Sequence, residues 1–252
     1  MNAPADHAAT HAARQHEMPA LDTARSSAPA SALIRLRDEH ASDIARHTQV
    51  FDAFIAELRD SSIAIETQAA NAQHYELPTS FFAVYLGPRL KYSYGYYPRG
   101  DETLAQAEDA MFALYAERAQ LADGQRVLDL GCGWGSLALS NSHAQCVFIE
   151  TRAQEHGLGN VLVVTGNIVD FDFHDGEIAF DRILSIEMFE HVKNYGVLLA
   201  KIARWIAEDG KLFVHLFAHK TLAYHFTAHD GTDWMSRYFF TGGTPCRRRR
   251  SC

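Results

Sequence analysis

Two glutamates and a histidine stand close together at positions 187, 190 and 191, directly after a predicted strand. If a helix begins there, Glu187, Glu190 and His191 share one face of it. A carboxylate paired with an imidazole can accept the proton of an alkyl amine, and the second carboxylate can hold the cationic amine. Glu190 beside His191 should favour the imidazolium, so the two groups would titrate together. The pattern predicts acid–base chemistry on an amine, although acids that only complement a helix dipole have the same spacing.

A glycine-rich turn lies in the segment VLDLGCGWGS, residues 127–136. A short apolar strand leads into Gly131, Gly133 and Gly135, which allow the backbone to approach a ligand closely. Asp129 lies just before the turn, where its carboxylate can reach a cationic or hydroxylated ligand. The dinucleotide fingerprint needs a further glycine where this chain has serine, and a Walker lysine is missing. The turn therefore favours S-adenosylmethionine over NAD or ATP.

Alternating strands and helices surround this turn. Predicted strands are Gln125–Leu130, Val161–Thr165, Arg182–Ile186 and Leu212–Phe217, and the predicted helices between them include Tyr195–Glu208. Such alternation is typical of a doubly wound parallel sheet, an α/β fold that binds ligands at the carboxyl ends of its strands.

The segments upstream of the sheet are predicted to be mostly helical. Residues 1–30 are rich in Ala, His, Ser and Pro, which predicts disorder. Residues 31–60 carry apolar side chains at helical spacing and predict an amphipathic arm. We expect the arm to pack on its own domain, with a membrane surface or a partner as the alternative. Residues 74–98 predict a short helix and loops, and residues 103–121 predict a helix.

Composition narrows the class of protein. The 252 residues, 47% of them hydrophobic, can build one good core, and the net charge of −8 argues against general binding of nucleic acid. The four cysteines have neither metal spacing nor the pattern of a disulfide framework, which suits a reducing cytoplasm. We expect neither a secretory signal nor an integral membrane segment. The sequence gives no indication of the oligomeric state.

Several histidines near the end of the sheet superficially resemble a metal site. His215 and His219 have H-x-x-x-H spacing, but in a strand such residues lie about 13 Å apart. No metal is therefore expected. His219, Tyr224 and His225 are predicted to line the substrate cleft, with simple packing under a loop as the alternative.

Three further segments accompany the glycine turn: YSYGY at residues 92–96, NSHAQ at 141–145 and EMFEH at 187–191. Together with LDLGCGWGS they resemble the cyclopropane-fatty-acyl-phospholipid synthase superfamily of S-adenosylmethionine-dependent methyltransferases. Within it, the coclaurine N-methyltransferase branch is most similar. The resemblance covers residues 63–244 and implies a Rossmann-like class I methyltransferase sheet with an N-terminal helical arm. It also implies S-adenosylmethionine as the cofactor, and a small amine or a lipid acyl chain as the acceptor.

The resemblance implies roles for individual residues. It makes Glu190 and His191 the base pair and Glu187 the anchor of the substrate amine. Lipid synthases of the superfamily use an equivalent Glu-His pair to hold bicarbonate and usually have a small residue in place of Glu187, which favours amine methylation here. The cofactor residues that it implies are Tyr92, Ser93, Gly131, Gly133, Gln145, Asn167 and Ile168.

The chain departs from the family pattern after the glycine turn. The family continues through a helix and a second strand, which need about 15 residues or more, before the NSHAQ segment. Here that connection is much shorter. We expect the residues from Ala144 onward to form a helix and the second strand to be missing. The alternative makes Cys146–Ile149 the strand and Glu150 the ribose-binding acid.

The last residues, PCRRRRSC, have no apolar period. We therefore expect an internally shortened and C-terminally truncated methyltransferase of low stability or activity, with an inactive fragment as the alternative. The tail could otherwise bind anionic lipid. The predicted organisation is a disordered segment at 1–30, a helical arm and cap at 31–121, a cofactor-binding α/β domain at 122–244 and a basic tail at 245–252.

Overall fold

The computed structural model describes residues 44–65, 79–133, 139–140, 143–173, 179–219, 225–226, 243–244 and 246–247. The predicted disorder at residues 1–30, the first part of the arm, and the site residues Gly135 and Tyr224 lie outside the described residues.

Five helices and seven strands are described. The helices are α1 (Ile44–Asp60), α2 (Thr79–Tyr85), α3 (Leu104–Ala119), α4 (His143–Glu155) and α5 (Tyr195–Trp205). The strands are β1 (Val127–Leu130), β2 (Leu139–Ser140), β3 (Val164–Thr165), β4 (Phe180–Ile186), β5 (Ile206–His215), β6 (Ala218–His219) and β7 (Cys246–Arg247).

The strands form parallel pairs, as the α/β prediction requires. The central sheet has the order β1-β4-β5, with Leu130 opposite Ser185 and Ile186 opposite His215. The pair β2-β3 lies beside β1, which extends the Rossmann-like order to β3-β2-β1-β4-β5. The pair β6-β7 is separate.

Local sequence explains where two of the helices begin. Thr103 accepts a hydrogen bond from the N–H of Gln106, whose side chain accepts one from the N–H of Thr103 in return. This capping box satisfies N–H groups at the start of α3. Asn194 does the same for α5, because its Oδ1 accepts the N–H of Val197 at 3.1 Å.

The core lies between the central sheet and α5. Its fully buried side chains come from both layers: Leu130 and Ile183 from the strands, Leu198 and Trp205 from α5. The segment that follows the arm helix α1 joins this core through Ile63, and Asn194 Nδ2 donates to the carbonyl oxygens of Arg59 at the end of α1 and Ser61 just beyond it. In its described part the arm therefore packs on its own domain, as expected.

Several element boundaries differ from the prediction, among them the end of α5 and the start of β3. Helix α5 ends at Trp205, three residues before the predicted end at Glu208, and β5 begins at once with Ile206. A tertiary contact sets this boundary, because Ile206 pairs with Phe180 at the start of β4. Strand β3 is also shorter than predicted, since Val161 and Leu162 are exposed and unpaired in the sheet.

The residues from His143 onward fold as a helix. Helix α4 includes Cys146–Ile149, so the alternative that made this segment a strand is wrong. Glu150 is exposed on α4 and is not a ribose-binding acid next to the glycine turn. The short strand β2 precedes α4, although the sequence led us to expect no strand there. Strand β7, within the basic tail, was not predicted either.

None of the helices in the described ranges combines the length and hydropathy of a segment that crosses a bilayer.

A substitution at Gly210 tests how closely β5 packs against β4. A Cβ atom at this position would lie 2.6 Å from Ile206 Cγ1 and 2.8 Å from the carbonyl oxygen of Phe180. We predict that Gly210→Ala lowers the free energy of unfolding by about 1–3 kcal/mol, the usual cost of overpacking. The control is Gly159→Ala, because a Cβ there meets nothing within 4 Å. Equal urea midpoints for the two variants would contradict this packing.

Candidate active site

The predicted catalytic residues follow β4 at the carboxyl edge of the sheet. The N–H of Glu187 donates to the carbonyl oxygen of His215 at 2.8 Å, which continues the pairing of β4 with β5 by one residue. Glu187 has φ +51°, a left-handed conformation that costs a non-glycine residue about 1–2 kcal/mol. A single 3-10 turn, Phe189–His191, comes next. The prediction that these residues share one face of a helix is therefore wrong, because the backbone reverses at Glu187 before the turn begins.

Glu190 is buried on this turn. Its Oε1 accepts the backbone N–H of Phe217, and its own carbonyl oxygen accepts the N–H of Thr244 at 2.7 Å. Its Oε2 is buried without a hydrogen-bond partner among the described residues. Burial raises the pKa of Glu190 to about 7, and the charge of Glu187 adds to this rise. The group therefore exchanges its proton near neutral pH.

Glu187, the other predicted catalytic carboxyl group, is half-buried. Burial raises its pKa, while the nearby Lys91 ammonium opposes the rise. The imidazole of His215 lies beside it, with Nδ1 3.8 Å from Glu187 Oε1. Burial lowers the pKa of His215, and the charges of Lys91 and Arg118 lower it further, so this imidazole is neutral at neutral pH.

Lys91 lies on the loop between α2 and α3. Its ammonium donates to Ser93 Oγ and, at 3.2 Å, to the hydroxyl of Tyr115. The buried carboxylate of Glu108 holds the loop, because it accepts the backbone N–H groups of Arg89 and Lys91 at 3.2 and 3.4 Å. The loop thus brings the predicted cofactor residue Ser93 to the same side of the sheet as Glu187.

Tyr92, the other predicted cofactor residue on this loop, is half-buried. Its ring packs edge-on against Phe82, with the centroids 5.6 Å apart, and its hydroxyl bonds the hydroxyl of Tyr85.

The glycine turn has the open geometry that a close ligand requires. Gly131 has φ +84° and Gly133 has φ +54°, both in the left-handed region that glycine adopts most readily. A Cβ at Gly131 would lie 3.0 Å from Met188, whereas at Gly133 it would meet nothing within 4 Å. Asp129 Oδ1 is buried without a partner among the described residues, and burial raises the pKa of this carboxyl well above its usual range. A backbone cradle and a buried acceptor that still lacks a donor fit a hydroxylated or cationic ligand.

The loop after β3 carries the predicted cofactor residues Asn167 and Ile168. Asn167 Oδ1 accepts the N–H of Val169 at 3.1 Å, which folds the segment into a tight turn. Lys201 of α5 then fixes this turn, because its ammonium donates to the carbonyl oxygens of Ile168, Val169 and Phe171 at 2.7–3.0 Å. Gln145, predicted on the same side, is buried on α4.

His225, predicted to line the substrate cleft, faces the arm helix. Its Nε2 lies 3.0 Å from Glu57 Oε1, and its ring packs on Phe54 with the centroids 4.7 Å apart. Its Nδ1 lies 2.5 Å from Lys193 Nζ. The side chain of His219 and the whole of Tyr224 lie outside the described residues, and the roles of all three in substrate binding stay predictions.

A family model described as mycolic acid cyclopropane synthetase matches residues 63–250, which is most of the chain. The chain belongs to this family.

Individual proteins with known names are also similar to the chain in sequence. It is 43% identical to (S)-coclaurine N-methyltransferase from Thalictrum flavum over 201 residues, which are 74% of this chain and 55% of the relative. It is 34% identical to cyclopropane-fatty-acyl-phospholipid synthase from Escherichia coli over 180 residues, 68% of this chain and 45% of that relative. The chain thus spans about half the length of the curated relatives that it matches.

A solved structure supports the fold. Coclaurine N-methyltransferase bound to N-methylheliamine and S-adenosylhomocysteine superposes with a TM-score of 0.81 at 34% identity. The match covers 90% of this chain and 69% of the other. The predicted class I methyltransferase fold is therefore confirmed, as is the predicted resemblance to coclaurine N-methyltransferases.

Sequence reasoning missed Lys91, Glu108 and Lys201. Glu108 carried a signal, because it lies at helical spacing from Met111 and Tyr115 and so falls on the buried side of α3. A carboxylate on such a face needs donors, and these are the N–H groups of the Lys91 loop. Lys201 lies likewise among apolar residues of α5, but its carbonyl partners come from a loop about 30 residues earlier.

Lys201 provides a test of the β3 loop as a cofactor site. Lys201→Met removes three hydrogen bonds that hold the turn at Asn167 and Ile168. We predict a loss of S-adenosylmethionine affinity of about tenfold, equivalent to one or two charge-assisted hydrogen bonds. Exposed Lys211 on β5 gives the control, Lys211→Met, which should leave the affinity unchanged by calorimetry. Equal affinities for both variants would contradict a role of this loop in the site.

The raised pKa of Glu190 predicts how the stability of the protein depends on pH. Because its pKa rises from 4.5 to about 7 on folding, the folded protein binds more protons than the unfolded chain between these pH values. The free energy of unfolding should therefore fall as pH rises through this interval. Glu190→Gln removes that effect, so at about pH 8 it should stabilise the protein by about 1–3 kcal/mol, and at about pH 4 it should be nearly neutral. Urea unfolding at both pH values measures this, and destabilisation of equal size at both would show that the carboxyl is not held as described.

Proposed function

We propose that the chain is an S-adenosylmethionine-dependent methyltransferase that methylates the nitrogen of a small amine. The observation that carries this proposal is the pair of carboxyl groups that follow β4, buried Glu190 and half-buried Glu187, at the sheet edge that also carries the glycine turn. The similarity to N-methyltransferases supports it, because those proteins share more identity with this chain than the lipid synthase does.

The residues proposed to hold the cofactor lie on three loops at this edge. The glycine turn at Gly131 and Gly133 provides space for close approach of the ligand, and Asp129 provides an unused acceptor. Ser93 and the turn at Asn167 flank them. When bound, S-adenosylmethionine supplies an electrophilic methyl group on a positively charged sulfur.

Glu190 is proposed as the general base. A primary or secondary amine must lose a proton to become the product amine, and a base works best when its pKa lies near the working pH. The carboxyl of Glu190, with its pKa at about 7, meets that condition, and its Oε2 has no competing donor among the described residues. The N–H of Phe217 fixes the other oxygen, so the free oxygen is held in one position. His191 follows directly in the chain and is the proposed partner of Glu190 in this role.

Glu187 is proposed to hold the amine before transfer. Its Oε1 is buried without a hydrogen-bond partner among the described residues, so a cationic N–H group of the substrate can bind there. Lys91 favours the ionised form of Glu187, and Glu190 carries the larger rise in pKa of the two. One carboxylate is thus suited to bind the ammonium and the other to accept its proton.

The proposal is tested by methyl transfer in the full chain. With S-adenosylmethionine as donor, we expect transfer to heliamine, and Glu190→Gln should lower kcat about 10²- to 10⁴-fold, as expected for loss of a general base. The control is Glu150→Gln on the exposed face of α4, which should change neither kcat nor cofactor affinity. Transfer to vesicles of unsaturated phospholipid but not to the amine would overturn the proposed acceptor. Lack of any saturable binding of S-adenosylmethionine would overturn the enzymatic proposal altogether.

The same assay has a pH signature. The base must be ionised, so the rate should rise with pH and level off above about 7, the pKa of Glu190. Glu190→Gln should remove this limb of the profile as well as most of the rate. An unchanged limb in the variant would assign it to the amine or to another group.

A further inference from the structure

We propose that Lys91, Tyr115 and His215 form a positioning relay that makes the Tyr94 hydroxyl a hydrogen-bond donor to the amine substrate, beside Glu187. The donor role rests on the proposed function, whereas the relay itself can be tested without activity. None of Lys91, Tyr94, Tyr115 and His215 was predicted from the sequence to bind substrate or cofactor.

The relay is a continuous series of hydrogen bonds. Lys91 Nζ lies 3.2 Å from the Tyr115 hydroxyl, which lies 3.2 Å from His215 Nδ1. On the other side of the same imidazole, Nε2 lies 3.0 Å from the hydroxyl of Tyr94. The series therefore runs from a buried cation to a tyrosine that is 56% exposed.

The cation sets the direction of these bonds. An ammonium can only donate, so the Tyr115 oxygen accepts from Lys91. Burial raises the pKa of Tyr115, and a hydrogen bond from Ser93 lowers it in part, as a hydroxyl that donates to the phenol oxygen does. The Ser93 oxygen in turn accepts a hydrogen bond from Lys91. The proton of Tyr115 is then directed to His215 Nδ1, which must be an acceptor.

A neutral imidazole with an acceptor at Nδ1 carries its proton on Nε2. Burial disfavours the charged form of His215, and so do Lys91 on the loop and Arg118 on α3, whereas Glu187 on the β4 side favours it, so the imidazole is neutral as described above. Nε2–H then donates to the oxygen of Tyr94, and the Tyr94 proton is left for another acceptor.

That proton is available at the proposed amine site. His215 connects the Tyr94 phenol to the proposed amine site, because Nε2 of the imidazole lies 3.0 Å from the Tyr94 hydroxyl and Nδ1 lies 3.8 Å from Glu187 Oε1. Burial raises the pKa of Tyr94, and the charges of Glu187 and Glu190 add to this rise, so the phenol stays protonated. A substrate whose amine binds Glu187 can therefore place an oxygen, such as an ether or hydroxyl oxygen, against the Tyr94 hydroxyl. The relay would thus select amines that carry such an oxygen at the matching distance.

The tautomer of His215 tests the relay directly. In the full chain labelled with [15N]histidine, the His215 signals can be assigned by their loss in His215→Gln. We expect Nδ1 without a proton and Nε2 with one near neutral pH. In Lys91→Met the Tyr115 oxygen loses its obligatory donor, so the Nδ1–H form should appear, whereas the control Lys211→Met should keep the wild-type tautomer. Protonation at Nδ1 in the wild-type protein, or an unchanged tautomer in folded Lys91→Met, would overturn the relay.

The donor role of Tyr94 is tested with two ligands. N-methylheliamine carries methoxy oxygens, and N-methyl-1,2,3,4-tetrahydroisoquinoline lacks them. Tyr94→Phe should weaken calorimetric binding of the first about two- to tenfold, the usual effect of one neutral hydrogen bond, and leave the second unchanged. Tyr97→Phe, an equally accessible tyrosine on the same loop, should affect neither ligand.

Equal losses for both ligands in Tyr94→Phe, or no loss for either, would overturn the donor role. Failure of the wild-type protein to bind either amine would overturn the proposed acceptor and the donor role together. The His215 tautomer distinguishes that result from failure of the relay, because it does not depend on a ligand.

Discussion

The withdrawal of two carboxyl groups from water at one sheet edge, buried Glu190 and half-buried Glu187, is the constraint on which the candidate site depends. Taking a carboxylate out of water is costly, and a second one nearby adds repulsion, so proteins rarely hold such a pair without cations or donors. Here the cost appears as raised pKa values at both groups. The Lys91 ammonium and the N–H of Phe217 offset part of it. Under the proposed function, a cationic ligand offsets the remainder.

The fold maintains this arrangement through backbone pairing. Because β4 and β5 are parallel, His215 ends β5 opposite the end of β4, and its carbonyl oxygen holds the N–H of Glu187 in a left-handed conformation. Strained residues of this kind persist only where the surroundings fix them, and they are frequent at functional sites. On the other side, Glu108 anchors the loop that delivers Lys91. Two separate elements thus converge on Glu187, one through its main chain and one through its side-chain charge.

The sequence predicts those features of the fold that depend on neighbouring residues. The strand before the glycine turn, the positive-φ glycines and helix α3 with its Thr103 cap follow from neighbouring residues, and the structure has all of them. The spacing of positions 187, 190 and 191 predicts a helix, because it fits the helical period as well as it fits the observed turn. Only the bond from Glu187 to β5, about 28 residues away in sequence, shows that the backbone turns instead.

Partners that come together only in the folded chain had no sequence signal. Tyr115 and His215 are 100 residues apart, and no period connects them. The end of α5 at Trp205 has the same origin, since the pairing of Ile206 with Phe180 overrides a pattern that fits a longer helix. Candidate site residues that belong to local motifs therefore carry a sequence signal, while the distant residues that shift their pKa values do not.

The proposed function implies that Glu190, whose pKa burial raises to about 7, releases its proton when a cation binds beside it. It is tested by calorimetry at about pH 7 in buffers of different ionisation enthalpy, which counts the protons released on binding. S-adenosylmethionine, with a charged sulfur, should release more protons than S-adenosylhomocysteine, whose sulfur is neutral. The difference should disappear when Glu187 and Glu190 are both replaced by glutamine. Equal proton release for the two ligands in the wild-type protein would contradict the claim.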